Sequence, residues 1–139
     1  MTIEEVLHRT QNGLHDAYLL NISVNYRECV LRIDLNWWAG DLHSEIEEVR
    51  EAYREGSLII SGLQYFVSES PATAYSPGAS YIDGYVTRAD DVTRMSLPDL
   101  SSEASRYSIF VGDWNSCIHF AGTSAEVIPA DLLVNEMVA

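Results

Sequence analysis

The chain has no lysine. All eight of its basic residues are arginine, set against 21 acidic ones. A net charge of −13 and an isoelectric point near 4.4 exclude the electrostatic footprint of a nucleic-acid or anionic-membrane binder. Only two cysteines occur, too few for a disulfide framework. No apolar run approaches the roughly 18–20 residues needed to cross a bilayer. Residues 1–12 include Glu4 and Glu5 and no apolar stretch of signal-peptide length, which predicts a cytoplasmic protein. Phosphate loops of the Gly-x-Gly-x-x-Gly and Gly-x-x-x-x-Gly-Lys kinds are missing, as is the Gly-x-Ser-x-Gly elbow of serine hydrolases. Asp90-Asp91 lacks the further oxygen ligands of a calcium loop. No cofactor is expected, and no catalytic set is complete.

What is present is an ordinary globular composition, 47% hydrophobic over 139 residues, which predicts one domain spanning 1–139. Residues 18–26 alternate, with Leu20, Ile22, Val24 and Tyr26 opposite Asn21, Ser23 and Asn25. After a polar break near Arg27-Glu28 the alternation resumes as Leu31, Ile33, Leu35 and Trp37 against Arg32, Asp34 and Asn36. Two period-two runs joined by a short loop predict an antiparallel hairpin with one face in the core. Further strands are expected over 57–67, with a bulge or kink at Gly62, and over 81–87, 107–111 and 117–121. The segments 68–80 and 88–105 carry Pro, Gly and polar residues without periodicity and are expected to be loops.

Three short helices are predicted. Thr2 and Glu5 form a capping box ahead of Gly13. Ser44 and Glu47 repeat that box over 41–55, with Ile46, Val49 and Tyr53 at helical spacing and Gly56 as the stop. Past Pro129, residues 131–138 offer Leu132, Leu133 and Met137 to the core. The fold class is therefore α+β and strand-rich: an antiparallel sheet or sandwich of about six strands with two or three short helices.

Cys29 and Cys117 each lie in an apolar, strand-like stretch and are expected to be buried, reduced thiols; a disulfide between them is the minor alternative. The spacing Cys117-Ile118-His119 sets two metal-capable side chains on one strand face, but no second pair accompanies them, so no metal is assigned. His15-Asp16 and His119 are the candidate catalytic residues, because a histidine held by a carboxylate is a recurring acid–base component. The plainer alternative is that His15 or Asp16 caps a turn. Trp38, Tyr65, Tyr75, Tyr81 and Tyr85 are candidate binding residues, an aromatic platform if exposed and sheet-edge packing if not. Of the adjacent Trp37 and Trp38 only one can face the core, and Trp114 in the turn 112–116 is expected to fold over the end of the sheets.

Leu14-His15-Asp16-Ala17, with the alternating runs at 22–26 and 31–35, resembles the opening of a group of small bacterial domains of unknown function. The stretch from Gly112 to Ala121, Gly-Asp-Trp-Asn-Ser-Cys-Ile-His-Phe-Ala, is similar to their closing hairpin. Some such domains are similar in size, acidity and strand content to immunity proteins, which neutralise toxins by binding. The resemblance implies a small β-rich domain and carries over no functional residue. Charge and aromatic loops lead to a non-enzymatic module that binds a basic protein partner. The alternatives are an enzyme or small-ligand binder built on His15, Asp16 and His119, and a homodimer formed through a sheet edge.

Overall fold

The computed structural model describes residues 14, 16–40, 43–88 and 99–129, the side chains of 83–88 excepted. Among the described residues eight antiparallel strands make two four-stranded sheets. The first runs β1 (Tyr18–Asn25), β2 (Val30–Trp38), β3 (Tyr53–Ser61) and β8 (Ser124–Pro129) in the spatial order β1-β2-β3-β8. The second holds β4 (Tyr65–Ser68), β5 (Ile82–Arg88), β6 (Ser105–Val111) and β7 (Ser116–Gly122) in the order β4-β7-β6-β5. Leu31, Ile33, Leu35, Leu58 and Ile60 of the first sheet share one buried cluster with Tyr107, Ile109, Ile118 and Phe120 of the second. No helix among the described residues is long and apolar enough to cross a membrane.

The chain passes between the sheets at two adjacent corners. Gly62, at φ +62°, turns β3 toward β4, where an added Cβ would lie 2.1 Å from Thr123 Oγ1. Thr123 itself carries β7 into β8, and its N–H donates to Ser61 O. Strands that switch sheets at such corners are how orthogonal β packings are built. On the other side, Tyr18 bridges Tyr81, Leu19 N–H donates to Ser80 O and Ile82 N–H donates to Ala17 O, which couples β1 to the entry of β5.

The predicted hairpin is present with Ile22 and Val24 on the expected face, but the start of its first strand shifts phase. The register steps from Leu19↔Leu35 to Asn21↔Asp34, so Leu20 is an extra residue and stands 52% exposed. Leu19, not Leu20, then faces the core, in phase with Ile22 and Val24 opposite the buried Ile33 and Leu31. This is the effect of a β-bulge. Tyr26, expected in the core, is 85% exposed because the strand ends at Asn25. Residues 26–29 form the turn, where Asn25 Oδ1 accepts from Glu28 N–H and Cys29 takes a positive φ of 54°. Cys29 is therefore an exposed thiol and not a buried one.

The helix content is smaller than expected. Of the predicted helix over 41–55 only α1 (Glu47–Arg50) forms, and Tyr53 and Gly56 belong to β3. Nine consecutive pairs with β2, from Val30↔Ser61 to Trp38↔Tyr53, outweigh the modest helical pairs of Glu and Arg. Gly56 is required by packing: a Cβ there would lie 2.6 Å from the Trp37 ring. Among the described residues the fold is mostly β; the helices expected over 1–13 and 131–138 lie outside them.

Candidate functional site

Three groups of side chains stand apart from the ordinary core. The largest is a cleft of about 680 Å³ where the inner face of β1 meets β4, the edge strand of the second sheet. Leu19, Ile22 and Val24 line it from β1, Leu20 and Asn21 from the bulge, and Phe66 and Ser68 from β4. The loop 69–80 closes the remaining side with Tyr75, Ser76, Gly78, Ala79 and Ser80, and Trp114 reaches in from the turn after β6. No carboxylate, arginine or histidine is among these residues. The volume and the apolar lining with a few hydroxyls and one amide match the usual composition of a ligand pocket.

Trp114 holds this wall in place. Gly112–Trp114 is a single 3-10 turn ended by Asn115 at φ +48°. The Trp114 indole N–H donates to Ala79 O at 2.9 Å, and Trp114 O accepts from Ala72 N–H at 2.8 Å. Its ring meets the 60%-exposed Tyr75 edge-on, with centroids 5.2 Å apart. Asp113 Oδ2 accepts from Tyr81 N–H at 2.7 Å, so the expected long loop is fastened at both ends. Trp114 packs against the core only partly buried and forms one wall of the cleft.

The second group surrounds Asp16, which takes a positive φ of 67°. Tyr81 Oη donates to Asp16 Oδ1, and Tyr53 Oη donates to Asp16 O at 3.1 Å. Tyr18 packs between them, 6.1 Å from Tyr53 and 5.5 Å from Tyr81 between ring centroids. Burial, together with the neighbouring Tyr18 and the Asp16 carboxylate, pushes the Tyr53 hydroxyl up.

The third group lies on the face of the second sheet turned away from the core. β4 pairs β7 as Val67↔His119 and Ser68↔Ile118, and Glu69 N–H continues the ladder to Cys117 O at 3.0 Å. Glu69 Oε1 accepts from Cys117 N–H at 2.6 Å and lies 3.5 Å from His119 Nε2. The other nitrogen of His119, Nδ1, shares a 2.6 Å hydrogen bond with Ser108 Oγ. His119 is 9% exposed, whereas the Glu69 side chain is 43% exposed. Burial pushes the Cys117 thiol up, and the neighbouring Glu69 carboxylate pushes the same way.

The sequence candidates scatter among these groups. The ionic and hydrogen-bond partners of His119 are Ser108 and Glu69, while Asp16 is held by Tyr81 and Tyr53, so the two fall into different clusters. His15 lies outside the described residues, as does the side chain of Tyr85. Tyr75 lines the cleft and Tyr81 belongs to the Asp16 group. Trp38 and Tyr65 form no exposed platform. The Trp38 indole N–H donates to Arg50 O at 2.8 Å, which tucks the ring beside α1. Tyr65 is buried and its burial pushes the hydroxyl up, opposed by the charge of Arg106. Sequence reasoning missed Leu20 and Glu69. Leu20 carries no chemical signal of its own, and Glu69 sits 48 positions from Cys117 in a stretch read as loop.

Fold and site together define a two-sheet antiparallel β protein with an uncharged cleft at one edge and a Glu/Cys/His donor cluster on the far face of its second sheet. Comparison with protein-family models, with curated proteins and with solved structures finds no match.

Proposed function

We propose that this chain is a non-enzymatic binding module that takes an extended, apolar peptide segment of a basic protein partner into the cleft between β1 and β4. The cleft carries the proposal. It lies against the edge strands of both sheets, and among the described residues no further strand pairs with β4 or with β1 beyond the Tyr18↔Tyr81 bridge. A strand edge beside an apolar trough suits an extended chain, whose backbone adds to the ladder while alternate side chains fill the trough. Leu20 and Tyr75, both largely exposed, supply apolar contact where a monomer gains nothing from it. The charge of −13 selects basic flanks and speeds encounter. Among the described residues no carboxylate, arginine or histidine lines the trough, a composition that supports a binding role.

The test is fluorescence anisotropy with labelled ten-residue peptides of alternating valine and leucine, flanked by arginine in one set and aspartate in the other. The arginine set binds and loses affinity as salt rises; the aspartate set does not bind. Leu20→Arg and Tyr75→Ala each weaken binding by about tenfold, roughly 1.4 kcal/mol. Tyr26→Ala, exposed but outside the cleft, leaves it unchanged. The proposal fails if neither set binds, or if both cleft substitutions bind as wild type does.

A further inference from the structure

The Glu69, Cys117 and His119 cluster takes no part in the cleft, and its chemistry differs in kind. Among the described residues it is the one group of three side chains whose oxygen, sulfur and nitrogen ligand atoms all lie within 4.8 Å of one another. The backbone places it. Cys117 and His119 are two apart on β7 and so share a face. Glu69 continues β4 to the position opposite Cys117, through its N–H to Cys117 O. One cross-strand pair and one diagonal neighbour thus converge without any loop having to close.

We propose that Glu69, Cys117 and His119 form a mononuclear zinc site with one coordination position left for water. The donor set is one thiolate sulfur, one imidazole nitrogen and one carboxylate oxygen. Sulfur and nitrogen select a borderline-soft ion over calcium or magnesium, which take oxygen shells. Tetrahedral zinc with Zn–N and Zn–O near 2.0–2.1 Å holds those two ligand atoms about 3.3–3.4 Å apart. Glu69 Oε1 and His119 Nε2 are already 3.5 Å apart, so the ion fits between them with little adjustment.

The outer contacts match as well. A zinc-bound histidine gives its second N–H to a fixed acceptor, which sets the tautomer and aims the ring. With Nδ1–H donated to Ser108 Oγ across 2.6 Å, the Nε2 lone pair faces Glu69. The carboxylate is steadied in turn by the Cys117 backbone N–H at 2.6 Å. Ser108 pairs with His119 in the β6–β7 register, so this support belongs to the sheet. Three protein ligands and one open position are the arrangement of zinc sites that keep a water or an exogenous ligand. The 43% exposure of Glu69 leaves that side accessible.

The experiment titrates chelator-treated full-length protein with zinc chloride by calorimetry, and in parallel with cobalt(II) by absorption. One zinc binds per chain with micromolar or tighter affinity and raises the melting temperature, since an ion that binds only the folded state stabilises it. Cobalt gives a thiolate-to-metal charge-transfer band that disappears in Cys117→Ser. Glu69→Gln weakens zinc by more than tenfold, and Ser108→Ala, which touches no metal, weakens it by about 10-fold to 100-fold through the histidine. These substitutions are close in size or exposed, and circular dichroism of each variant verifies the fold. Absence of one-to-one zinc binding overturns the proposal, and so does zinc binding of equal strength in Cys117→Ser and Glu69→Gln, which would place the ion elsewhere.

Discussion

β1 and β2 are neighbours in one sheet, paired along almost their whole length, yet their inner faces have different fates. On β2, Leu31, Ile33 and Leu35 are sealed. On β1, Leu19 opposite Leu35 is buried as well, but Ile22 and Val24, opposite Ile33 and Leu31, remain partly open, and all three line the cleft. Local sequence does not distinguish them, because both strands present branched apolar residues at every second position. The opposing layer does. β6 and β7 send Ile109, Ile118 and Phe120 into the cluster that buries β2, whereas β4 ends the second sheet with four residues and covers β1 only with Phe66 and Ser68. The cleft is the place where one sheet stops short of the other.

The sharpest way to break that contrast is to truncate both sides of one pair. Ile33→Ala removes a fully buried side chain beneath the second sheet and lowers stability by about 2–5 kcal/mol. Ile22→Ala, directly opposite in register, removes the same atoms from a wall already facing solvent, for about 1 kcal/mol or less. Urea unfolding of both variants gives the comparison. Equal losses would mean that β1 is as sealed as β2 and that no cleft exists in solution.

Next in size is Gly56→Ala. The new methyl meets the Trp37 ring and Ile128 O, both at 2.6 Å, where neither a buried indole nor a paired backbone can yield cheaply. Overpacking of this kind destabilises by about 1–3 kcal/mol. The same change at an ordinary strand glycine would be neutral or favourable. A stabilised Gly56→Ala protein in thermal melts would contradict the packing of Trp37 against β3 that seals this end of the sandwich.

What the sequence could and could not announce follows from the same contrast. The hairpin was legible because one period-two pattern continues across both strands, and β2 fell in the expected phase. On β1 Ile22 and Val24 did so too, but at its start Leu19 and Leu20 are both apolar and offer either phase; only the step in pairing to Leu35 and Asp34 decides between them. The segment around Tyr53 carries Glu and Arg at helical spacing, and nothing within it reveals that β2 waits alongside. β8 was hidden by its small and polar residues and by Pro129, which an edge strand tolerates at its end. Two of the three donors were visible in the Cys117–His119 spacing. Its third member needed the β4–β7 register, and long-range register is not written in local periodicity.

The smallest effect concerns the outer face of the first sheet and separates charge from packing. Asp34 accepts hydrogen bonds from Ser57 Oγ, from Arg32 Nε at 2.8 Å and from Asn21 Nδ2 at 3.5 Å. Burial works to raise its pKa, but these bonds and the Arg32 charge outweigh it and hold the carboxyl below its ordinary value of 3.8. A carboxyl lowered in the folded state contributes stability that is complete above the unfolded value and is lost as pH falls through the folded one. Asp34→Asn keeps the shape and removes the charge, so it lowers stability by about 1 kcal/mol at neutral pH, a modest figure because the group is partly solvated. The gap between wild type and variant then closes as pH drops below about 4. Urea unfolding at stepped pH measures it directly. A gap that persists into acid would assign the effect to shape, and the polar outer face of β2 would then owe nothing to the ionised Asp34.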